Sequence, residues 1–202
     1  MDTRERILVA AADQFAARGF HGTATRDIAH AVGIRQPSLY SHFATKALIL
    51  AALLDADLIP ALDRIERALA LDGPCAPRLH AWLHVDVDAI LALPFDVRGL
   101  YDDAALATPE LAGPAARRSR LHACTRRLVA AGVARGELDA DPAFVGHAIT
   151  GLTREAARER STGAAPPGRG LAVADFVLRA VLAEPASLTA VRSAAAPLRP
   201  LL

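Results

Sequence analysis

Arg35, Gln36, Ser38, Tyr40, Ser41 and His42 crowd into one stretch, GIRQPSLYSHFATK, at residues 33–46. They supply a guanidinium, an amide, three hydroxyls and an imidazole, all hydrogen-bonding groups that do not suit an apolar core. Leu39 and Phe43 lie four apart. A short helix would put those two on one face and turn the polar groups the other way, towards something that is not the core.

The elements around this stretch supply the support such a row needs. Asp2 with Glu5 three residues later reads as a capping box, and Ile7, Leu8, Ala11 and Phe15 follow at helical spacing until Gly19. A second short helix is expected from Thr25 to Val32, with Ile28, Ala29 and Val32 inward and Gly33 as its stop. The third begins at once, with Pro37 in its first turn, where a missing N–H costs little. Three helices with a tight Gly-containing turn before the last match a helix-turn-helix unit. In such a unit the first turn of the last helix enters the major groove of DNA.

Beyond Lys46 the apolar segments lengthen. Helices are expected over 47–71 with a bend near Pro60, over 77–93 and 97–106, from Thr108 and Pro109 to Ala134, from Asp141 and Pro142 to Arg160, and over 171–183. The stretch STGAAPPGRG reads as a loop, and the Pro-containing tail from Glu184 to Leu202 as loosely held. Hydrophobic residues make up 52% of the 202, aromatics 4%, and Ala, Leu and Arg recur throughout. The fold class expected is all-α.

The run GFHGTATRDIAHAVGIRQPSLYSHFATKALIL resembles the DNA-binding domain of the TetR family of bacterial transcriptional repressors, with Gly19, Phe20, Thr25, Ile28, Ala29, Gly33, Leu39, Tyr40, Phe43 and Lys46 matching together. The resemblance implies a helix-turn-helix domain over 1–46 and a helical ligand-binding and dimerisation domain over 47–202. It implies that Arg26 and Gln36 face base edges, that Pro37 and Ser38 lie against bases, and that Thr25, Tyr40, His42 and Lys46 hold phosphates. The chemistry agrees, because Arg forks onto guanine, Gln onto adenine, and hydroxyls or Lys bind phosphate oxygens. Arg35 stands where many relatives carry a capping Ser, so it is expected on a base or phosphate instead. Ser41 replaces an aromatic or His and removes one contact. The plainer alternatives are Tyr40 packed on the core, His42 merely solvated, and Arg26 paired with Asp13 or Asp27.

The same resemblance implies a homodimer, reading a palindromic double-stranded operator, joined through the last two long helices. Val145, Ile149, Leu152 and Ala156 form one apolar stripe there, and Val173, Phe176, Val177, Ala180 and Val181 another, with Gly146, Ala148 and Gly151 small enough for close approach. An intrachain core stripe is the alternative. A ligand pocket is also implied, with Trp82, His84, Tyr101, Cys124 and His147 as candidate lining beside Phe95 and His122. The Ala- and Leu-rich body suits a small, largely apolar effector. His80, His84 and Asp88 share a face, and two His at i, i+4 can chelate a metal, yet neither Cys nor a further His lies near them in sequence. No metal and no cofactor are expected.

Formal charge is +1, with six basic residues against four acidic in the first 46, so a local basic patch is possible but bulk coating of nucleic acid is not. Cys75 and Cys124 cannot form a disulfide framework, and the sequence contains neither an export signal nor an apolar run long enough for a membrane span, so a cytoplasmic protein is expected. Gly-rich phosphate loops, GxSxG and HExxH are absent from the sequence, which argues against an enzyme. An activator, a metal or redox sensor on the same fold, and an all-α interaction protein without DNA are the remaining alternatives.

Overall fold

The computed structural model describes residues 1–161, 163 and 167–202, so part of the loop expected over 161–170 lies outside them. The described residues are helical apart from connecting turns and one isolated bridge between Leu138 and Leu182. The chain divides into two compact units, one made of Met1–Ile59 and Leu93–Arg118, the other of Pro60–Ala92 and Ser119–Leu202.

The first unit opens with α1 (Thr3–Arg18), whose capping box forms as its sequence dictates. The Asp2 carboxylate accepts from the Glu5 N–H at 2.7 Å, and the Glu5 carboxylate from the Asp2 N–H at 2.8 Å. Ile7, Ala11, Ala12 and Phe15 are buried. α2 (Thr25–Val32) ends at Gly33, which takes the left-handed conformation at φ 75°. α3 (Gln36–Tyr40) is five residues long, shorter than the sequence suggests, and residues 41–45 turn into α4 (Lys46–Ala70). The Thr45 hydroxyl accepts from the Leu48 N–H at 3.2 Å and caps that helix. α4 runs through Pro60, which is exposed.

Residues 93–111 also belong to this unit. The helix expected over 97–106 is only α6 (Asp103–Leu106), after α5 (Cys75–Ala92) of the other unit. Its start is set by Asp102, whose carboxylate accepts from the Ala104 and Ala105 N–H groups. Upstream, Phe95, Val97 and Leu100 are buried while Gly99 meets α1. A Cβ at Gly99 would lie 2.2 Å from the Phe15 carbonyl carbon, so only glycine allows that approach.

In the second unit α5 is the central helix, buried along twelve of its eighteen residues. Arg78 is among them because its guanidinium donates to the carbonyls of Ala68, Leu69, Leu71 and Pro74 and so pairs the free end of α4. Arg64 forks onto Asp86 at 2.7 and 2.9 Å. Around α5 come α7 (Ala112–Ala134), of which the part from Ser119 lies in this unit, α8 (Pro142–Ser161) and α9 (Arg169–Val181). Asp141 caps α8, accepting from Ala143 and Phe144 N–H.

The tail departs from expectation. It folds as a 3₁₀ turn (Pro185–Ser187), α10 (Leu188–Ala195) and a second 3₁₀ turn (Ala196–Leu201), with Leu188, Val191 and Ala195 buried. Those three recur at helical spacing, and Arg192 and Arg199 add polar ties to α9 and α5, so the tail is docked and not loose.

Candidate nucleic-acid interface

Leu39 on α3 is fully buried and Phe43, in the turn just after that helix, nearly so, and together they anchor it. The other face carries Pro37, Ser38 and Tyr40 into solvent, with Arg35 before it and His42 after it, all exposed. Arg35 stands at the N-cap of α3 without a capping side-chain bond, as its chemistry requires. Its guanidinium is left free to reach outward.

Thr25, Gln36 and Tyr40 form a polar triangle between the start of α2 and α3. The Gln36 amide donates to the Thr25 hydroxyl at 3.1 Å and to the Tyr40 hydroxyl at 3.3 Å, and the two hydroxyls lie 3.1 Å apart. Hydrogen bonds from Thr25 and then Gln36 lower the Tyr40 pKa from its ordinary value. Ala24 at the N-cap of α2 has no side chain for its first-turn N–H groups, a geometry that favours an anion beside Thr25. Tyr40 is therefore a hydrogen-bonding residue at the surface and not a core aromatic.

Arg26 is exposed and makes no ion pair among the described residues, since Asp27 is taken by Arg18 at 3.3 Å. Burial, and then the charge of Asp96, raise the Asp13 pKa above its ordinary value. Lys46 has a second task that its sequence position does not reveal. Its ammonium donates to Phe20 O at 2.6 Å and Thr23 O at 2.7 Å and lies 4.4 Å from the Phe20 ring centre, while burial lowers its pKa. These two bonds use two of its three N–H donors. Arg4, 4.8 Å from the Phe43 ring, is a further exposed cation on this unit.

The residues expected to line a ligand pocket belong to both units. Trp82 and Cys124 are buried in the core of the second unit, His84 is half-buried there, and His147 is exposed on α8. Tyr101 belongs to the first unit, where its hydroxyl donates to the buried Asp57 carboxylate. Cys124 borders a cleft of about 380 Å³ with Glu66, Leu69, Arg120 and Arg127. His80, His84 and Asp88 are each engaged by protein groups, and no cluster of metal-ligating side chains occurs among the described residues.

The apolar stripes of α8 and α9 separate into two faces. Val145, Ile149 and Val177 lie in the chain's own core and Leu152 packs against it, whereas Phe176, 62% exposed, and Ala180 face solvent. Phe144, at 72% exposure, shares that outer character and was missed.

The family model described as bacterial regulatory proteins, tetR family, matches residues 7–53, the segment that contains α2 and α3. AmtR of Mycobacterium smegmatis is 34% identical in sequence, with a TM-score of 0.83, over 98% of this chain and 94% of that one. An uncharacterised HTH-type transcriptional regulator of Bacillus subtilis strain 168, YdgC, is 35% identical over 73 residues, 36% of this chain and 37% of that protein's length. AibR, whose structure is a complex with isovaleryl coenzyme A and operator DNA, has a TM-score of 0.66 over 90% of this chain and 99% of that one; at 18% identity it shares the fold alone. With a helix-turn-helix at its start, helices throughout, and one-third identity to AmtR along nearly its whole length, the chain belongs to the TetR family of bacterial DNA-binding transcriptional regulators.

Proposed function

We propose that the protein is a cytoplasmic homodimeric repressor that sits on a palindromic operator and is released by a small, largely apolar effector. The observation that carries the DNA-reading half is the outward row of Arg35, Ser38, Tyr40 and His42 on and beside α3, whose inward side is fixed by Leu39 with Phe43 in the turn that follows. In this reading residues 1–46 bind DNA and 47–202 bind the effector and the second subunit. Arg26 and Gln36 read base edges, Arg35 contacts a base or a phosphate, Pro37 and Ser38 lie against bases, and Thr25, Tyr40, His42 and Lys46 hold phosphates. AibR, with its acyl coenzyme A and its operator, supports effector control on this fold. Relatives that are regulators support a non-enzymatic role.

The dimer in this reading uses the outer face of α8 and α9, where Phe144, Ala148, Gly151, Ala172, Phe176 and Ala180 are exposed, with Val145, Ile149 and Val177 packing behind it. Small residues there allow two copies of the helix pair to approach closely, and the large rings of Phe144 and Phe176 supply buried area. Phe176→Arg gives a monomer by light scattering and weakens operator binding with the fold intact by circular dichroism. A dimer that persists would place the interface elsewhere.

Operator binding is tested by fluorescence anisotropy against the duplex upstream of the protein's own gene, with scrambled competitor, at two salt concentrations. Competitor-resistant binding that weakens with salt is expected. Equal affinity for the scrambled duplex would remove that operator. A reporter driven from the bound promoter then gives the sign of control, and repression is expected.

A further inference from the structure

His80 and His84 stand one turn apart on α5, and each is held in one tautomer by its partners. Arg199 Nη1 lies 3.0 Å from His84 Nδ1. A guanidinium has donors only, so Nδ1 is the acceptor and the imidazole proton sits on Nε2. That nitrogen lies 3.3 Å from Asp88 Oδ2, and Asp88 Oδ1 accepts from the Gly170 N–H at 3.0 Å. The row Arg199, His84, Asp88, Gly170 thus joins the terminal 3₁₀ turn, α5 and the first turn of α9. Next to it, His80 Nε2 donates to Asp175 Oδ1 at 3.1 Å, and Arg192 of α10 forks onto the same carboxylate. His80 Nδ1 is buried without a partner.

We propose that His84 is a proton-operated latch for the C-terminal strap: neutral, it holds Arg199 and keeps residues 188–202 on α5, and protonated, it lets them go. A proton on Nδ1 turns the acceptor into a donor that faces the Arg199 N–H, and it sets two positive charges side by side. No rotation of the ring cures this, because in the charged imidazole both nitrogens donate. Leu188, Val191 and Ala195 also hold the strap, so the proton shifts a docking equilibrium that already exists.

The groups that bear on His84 are Asp88 and His80 on its own helix, Asp175 on α9 and Arg199 on the terminal turn, while Arg192 on α10 bears on His80. Burial holds the His84 pKa below its ordinary 6.5 with Arg199 adding to the effect, although Asp88 pulls the other way. Burial does the same to His80 against the pull of Asp175. The undocked imidazole takes up its proton first as pH falls. Docking is therefore at full strength above the ordinary value and is lost as pH falls through the lower, docked one.

The test is hydrogen exchange of the full-length protein by mass spectrometry at about pH 7.5 and about pH 5, corrected for the intrinsic rate. Peptides covering 188–202 lose about tenfold of their protection at the lower pH while the α5 core keeps its own. His84→Asn puts an amide oxygen where Nδ1 was, takes no proton, and stays docked at both values. Arg199→Ala exchanges rapidly at both. Equal protection of the wild-type strap at the two pH values overturns the latch, and so does acid release of His84→Asn that matches wild type. Should His84→Asn not fold, persistence of the pH effect in Arg199→Ala overturns it.

Discussion

The α2–α3 surface and the α5–α9–α10 core are both tied by polar side chains, but in opposite surroundings. Thr25, Gln36 and Tyr40 bond to one another at half-exposed or exposed positions, so water can replace each bond. His80 and Asp175, 2% and 8% exposed, bond where water cannot follow. The net worth of the first set is small, and it can be exchanged for bonds to a base or a phosphate at little cost. Breaking the second strands a buried group at the full desolvation penalty. Similar residue types can be re-paired with water in one place and are fixed in the other, and burial decides which.

Asp175→Ala gives the largest expected effect. It leaves Arg192 and His80 without their acceptor and costs about 2–3 kcal/mol, below the range for a fully buried pair because part of Arg192 remains in water. Denaturant titration measures this. A loss under half that would mean the node is solvated. Burial raises the Asp175 pKa, yet Arg192 and His80 outweigh it and leave it lowered, so this contribution is present above the ordinary carboxylate value and fades as pH falls through the lower one.

Gln36→Ala comes next and moves affinity more than stability. Loss of about 1–3 kcal/mol on the operator, with binding to random duplex unchanged, marks a base-reading amide. Equal loss on both would make Gln36 only the brace for Thr25 and Tyr40. Tyr40→Phe is the smallest. It leaves the denaturant midpoint where it was and weakens all duplexes alike, as removal of an exposed phosphate ligand should. A loss of stability would show that the triangle is structural after all and would erase the contrast with the core.

The three helices at the start of the first unit are readable in the sequence because their signals are local. Asp2 and Glu5 make their capping box three residues apart, Gly33 ends α2 where it stands, and Leu39 and Phe43 lie one helical turn apart. The strap is not, because Arg199 and His84 are 115 residues apart and the prolines at 185, 197 and 200 read as breaks. On α9, Phe176 and Val177 are adjacent and both apolar, so periodicity could not say which faces the chain's own core. The double duty of Lys46 was hidden for another reason. Its partners are backbone carbonyls, which no residue name announces.

Arg78 has a consequence for the order in which the chain folds. The carbonyls of Ala68 and Leu69 at the end of α4, and that of Leu71 just past it, are paired by a side chain from the first turn of α5, only seven to ten residues onward. The end of α4 cannot be finished by its own residues. It is completed when α5 becomes helical, and the short span keeps loop closure cheap and quick. The two helices should therefore appear together as a hairpin early in folding, with the C-terminal strap arriving later over a far longer span of chain.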